Sequence, residues 1–195
     1  TGDFISTGCS REPETFDYIA AAGIKNADGD MGRVLSRLIS LLKPGGIMAA
    51  CVYGYAGYYG LEMLATIIKH LSSDIENISA GKNAAKLKRI TAAVLEQLPK
   101  DHPAYHRKEF MERLGRGEPT ALRELINLST DKIFTVSRLL ESIEQGGGRF
   151  LDWVIPKFYD PARYAEEQEV AERLGKLRDP QRWGVAAMVN AARPV

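Results

Sequence analysis

Four tyrosines and three glycines crowd the stretch Val52-Tyr53-Gly54-Tyr55-Ala56-Gly57-Tyr58-Tyr59-Gly60, directly after an apolar run. Glycines between a strand and a helix can cradle phosphate, because the first amides of a helix point outward unpaired. Here the glycines fall every third residue and lack the close G-x-G pair of a dinucleotide loop, so a tight turn lined by tyrosines is the better reading. Such a turn at the carboxyl end of a parallel strand lies where open α/β sheets take their ligands. Tyr53, Tyr55, Tyr58 and Tyr59 are therefore candidate substrate-lining residues, with surface packing as the alternative.

Asp28 and Asp30 offer two carboxylates without a third ligand, which suits a helix cap at Asp30 better than a metal, and no metal is expected. Lys82, Lys86, Lys88 and Arg89, with Lys100, His102, His106, Arg107 and Lys108 beyond, have the charge to meet RNA phosphates. Glu76, Glu96, Asp101 and Glu109 interrupt them, so a solvated helix face is favoured over nucleic-acid binding. His70, His102 and His106 are scattered and none has a neighbour that marks a general base, so no catalytic residue is assigned.

The elements that must position these residues alternate at first. Residues 16–23, FDYIAAAG, read as a strand buried on both faces. From Asp30, the spacing of Met31, Val34, Leu35, Leu38, Ile39 and Leu42 predicts a helix stopped by Lys43-Pro44-Gly45-Gly46. Residues 47–53 form a second apolar strand and 59–71 return to helical period, an order that implies a parallel sheet with right-handed crossovers. Residues 72–148 read as a helical insertion or cap, with Leu87, Ile90, Val94, Leu122 and Leu125 on apolar faces between the breakers Pro99, Pro103, Gly115, Gly117 and Pro119. Thr135 is placed to cap a helix over 136–145 that ends at a glycine triplet. Residues 149–156 and 183–191 read as two last strands that close the sheet, separated by a charged helix over 161–177.

Composition narrows the class. A chain of 195 residues is most simply one domain, and 45% apolar residues, 26% charged residues and a net charge of +1 give no global pull toward nucleic acid or membrane. Two cysteines, Cys9 and Cys51, match neither a disulfide framework nor a metal knuckle, which suggests a reducing, cytoplasmic setting. No apolar stretch reaches the roughly 18 residues that span a bilayer, so a soluble protein without a membrane partner is expected. The chain opens at Thr1 in a polar, turn-rich segment, and it reads as a piece of something longer.

Phe16-Asp17-Tyr18-Ile19 through Gly23, followed by Leu41-Leu42-Lys43-Pro44-Gly45-Gly46-Ile47, resembles the fourth strand, following helix and fifth strand of class I S-adenosylmethionine-dependent methyltransferases. Val52-Tyr53-Gly54, Phe134-Thr135-Val136 and Tyr159-Asp160-Pro161 echo, more loosely, a bacterial branch with a helical insertion. The resemblance implies an α/β fold: a partial Rossmann-like sheet, mostly parallel with an antiparallel terminal strand, carrying the helical insertion at 72–148 within one methyltransferase-like domain. It implies methyl transfer from S-adenosyl-L-methionine to an unidentified acceptor, a small molecule or otherwise.

By the same resemblance Asp3 accepts from the adenine amino group and Phe4 borders the ring, while Ala22, Gly23 and Ile24 follow the fourth strand against the cofactor. Lys25 and Asn26 would then meet the acceptor together with the tyrosines. The family's glycine-rich loop after its first strand is not among these residues, so association with a missing N-terminal half is expected, and this piece alone should be a poor enzyme. A non-catalytic binding or scaffold protein on a degenerate methyltransferase fold, or an RNA-modifying module, stand as alternatives.

Overall fold

In a computed structural model, which describes residues 13–22, 31–73, 75, 81–128 and 133–190, the chain is a mixed α/β protein. β1 (Phe16–Ala22) and β2 (Leu42–Cys51) are adjacent and parallel, as expected of two strands joined by a single crossover helix, α1 (Met31–Ser40). Tyr18 opposes Ile47, and the pairing then runs residue by residue to Ala22 opposite Cys51. Ahead of that, Phe16 opposes Leu42, so Lys43-Pro44-Gly45-Gly46 bulges from the ladder. Gly45 has a φ of 81°, the left-handed region that favours glycine. A Cβ on Gly46 would lie 3.0 Å from the Lys43 carbonyl oxygen and 3.1 Å from that of Phe16. The glycine pair therefore shapes a bulge inside β2, while α1 itself has already closed at Ser40.

The inward positions of α1, Met31, Val34, Leu35 and Leu38, form one cluster with Ala21 and Phe134, and Ile19, Met48, Val52 and Leu139 lie against it. This helix covers one face of the strand pair. The opposite face is open, which corrects the expectation that β1 is buried on both sides: Tyr18 is 59% exposed and its register partner Ile47 is 50% exposed.

Beyond β2, β3 (Tyr53–Gly54) pairs in parallel with β4 (Ile133–Phe134), and α2 (Tyr55–Leu71) starts at once. The expected loop of glycines and tyrosines is thus a strand end followed by the first turns of a helix. The remaining helices are α3 (Gly81–Gln97), α4 (Lys108–Gly115), α5 (Pro119–Asn127), α6 (Val136–Gln145), α7 (Gln168–Gly175) and α8 (Asp179–Asn190). The breakers separate them as expected, and Thr135 caps α6 by accepting from the Arg138 N–H at 3.2 Å.

The chain divides into two compact units, one containing the strands with α1 and α6 to α8, the other running from Gly57 through α5. In the helical unit Leu61, Leu64, Ala65 and Ile68 of α2, Leu87 of α3, Leu114 of α4 and Leu125 of α5 are buried. A short 3₁₀ turn, Pro103–His106, is capped by His102, whose Nδ1 accepts from the Ala104 N–H at 3.1 Å. That gives one of the scattered histidines a structural role.

The two expected closing strands are not formed. Residues 149–155 are irregular: the Asp152 carboxylate accepts from the Trp153 N–H at 2.7 Å, a local bond that competes with strand pairing. Phe150 and Trp153, three residues apart, join one aromatic cluster, whereas a strand would alternate its faces. Residues 183–190 belong to α8, which begins at Asp179-Pro180, a start that favours helix. An all-apolar run does not by itself separate strand from helix. The charged segment is a 3₁₀ turn, Pro161–Tyr164, followed by α7, rather than one helix over 161–177. Among the described residues both strand pairings are parallel, so the expected antiparallel terminal strand is not found in residues 149–156 or 183–190.

Candidate functional site at the carboxyl ends of the strands

Because β1 and β2 run in parallel and in register, Ala22 and Cys51 end side by side. Both are small and exposed. One residue further, Val52 packs into the α1 cluster, and this directs the chain into Tyr53–Gly54, which pairs with Ile133–Phe134. The ends of β1 and β2 are followed along the chain by β3, which pairs with β4 in a separate two-stranded sheet, and by the start of α2. The carboxyl end of a parallel pair is where open α/β sheets bind ligands.

Of the expected cofactor residues, Ala22 stands at this end, while Asp3, Phe4, Gly23 and Ile24 lie outside the described residues. Lys25 and Asn26 lie outside them too, as do Asp28 and Asp30. Tyr53 is the half-buried first residue of β3 and Tyr55 opens α2 at 46% exposure. Tyr58 and Tyr59 belong to the helical unit. There the Arg107 guanidinium donates from Nη2 to the Tyr58 hydroxyl at 2.7 Å and stands 4.4 Å from the ring centroid. Tyr58 is thus held by a stacked and hydrogen-bonded arginine.

An aromatic cluster was missed in the sequence. Tyr159 stacks on Trp153 with ring centroids 3.6 Å apart, and Trp153 meets Trp183 edge-on at 5.7 Å. Phe150 leans on both tryptophans, at 4.9 and 5.3 Å. Burial raises the Tyr159 phenol above its ordinary range, and the charge of Cys51 adds to the shift. The Trp153 indole nitrogen is buried without a hydrogen-bond partner. The signal was legible as the aromatic spacing Phe150, Trp153, Phe158 and Tyr159, but reading that run as a strand hid it.

Of the basic residues of α3, Lys88 and Arg89 are exposed and Lys86 is half-buried. Among the described residues there is no group of three or more side chains suited to hold a metal, and no helix long and apolar enough to cross a membrane. No protein-family model matches the chain, and no curated protein matches it in sequence.

Proposed function

We propose that this chain is the C-terminal part of an S-adenosylmethionine-dependent methyltransferase with a Rossmann-like sheet, acting on an unidentified acceptor at the carboxyl edge of β1 and β2. The observation that supports it most is the parallel pairing of the FDYI strand with the strand after Lys43-Pro44-Gly45-Gly46, with both ending level at Ala22 and Cys51. The small-residue end of this pair fits a cofactor lying across strand ends. Asp3, Phe4, Ala22, Gly23 and Ile24 would hold it, and when bound it supplies an electrophilic methyl group. The chain's own part is to orient the acceptor and keep water out, which an in-line displacement needs more than a dedicated base. Lys25, Asn26 and the tyrosines Tyr53 and Tyr55 would line the acceptor.

Calorimetric titration of S-adenosyl-L-methionine into the full product of the gene tests the reading. Saturable binding that Asp3→Ala weakens by about 1 to 3 kcal/mol, the size of a lost buried polar contact, is the expected result. Absence of binding would move a second reading forward: a non-catalytic binding protein, favoured by the exposed apolar pair Tyr18 and Ile47 on the open face.

A further inference from the structure

We draw no further inference here: the strongest candidate, the exposed apolar patch of Leu151, Val154 and Ile155 on the irregular segment ahead of the 3₁₀ turn Pro156–Tyr159, rests on exposure alone, and nothing in the structure shows what covers it.

Discussion

Lys43 Nζ lies 2.8 Å from Asp17 Oδ2, joining the opening of β1 to the bulge of β2 across the ladder. These residues belong to the two sequence blocks, FDYI and LLKPGG, that carry the resemblance to methyltransferases, and the contact ties the blocks together. The Lys43 ammonium holds the Asp17 carboxyl below its ordinary range, by hydrogen bond first and by charge second. Since the folded pKa is the lower one, the contribution is present above the ordinary aspartate range and lost as pH falls through the folded value. Both side chains are substantially exposed, so the effect on stability should be small and shrink with salt. An NMR titration of the Asp17 carboxyl should give a depressed midpoint that returns toward the ordinary value in Lys43→Gln.

Gly60 and Gly54 should respond differently to the same methyl group. A Cβ on Gly60 would stand 2.4 Å from the Ala104 backbone nitrogen, whereas one on Gly54 has nothing within 4 Å. Gly60→Ala should destabilise the protein by about 1 to 3 kcal/mol, the range for overpacking. Gly54→Ala should be close to neutral in thermal unfolding. Equal effects at both would mean that the glycines act together as a turn.

Two buried polar atoms without partners among the described residues make a second pair of tests. Thr91 in α3 is 1% exposed and its hydroxyl has no hydrogen bond, so Thr91→Val should stabilise by about 1 kcal/mol in urea unfolding. Trp153→Phe removes the orphaned indole N–H and keeps a ring against Tyr159, so it should change stability by less than about 1 kcal/mol. Trp153→Ala empties the cluster and should cost about 3 kcal/mol.

Tyr159 supplies a pH test of the same cluster. Its phenol is raised by burial first and by the charge of Cys51 second. The neutral form is the one the fold prefers, so its contribution is complete below the ordinary tyrosine range and is lost as pH rises through the higher folded value. Difference absorbance against Tyr159→Phe should show one phenol that ionises late. Cys51→Ser should lower its midpoint.

Periodicity and turn chemistry alone determined β1, α1, the second half of β2 and the divided helices between residues 81 and 145. Each of these is specified locally: Met31, Val34, Leu35 and Leu38 repeat at helical spacing, Thr135 supplies a cap, and Gly45 needs a positive φ. Where side chains had to choose partners distant in sequence, local pattern was insufficient. Residues 149–155 and 183–190 are apolar enough for strands, but Phe150 and Trp153 of the first and Trp183 of the second meet in one aromatic cluster with Tyr159. The close approach at Gly60 and the Arg107 on Tyr58 likewise join residues far apart along the chain. Tertiary structure decided these, because burial and pairing energies depend on which surfaces meet and a one-dimensional pattern carries no information about that choice.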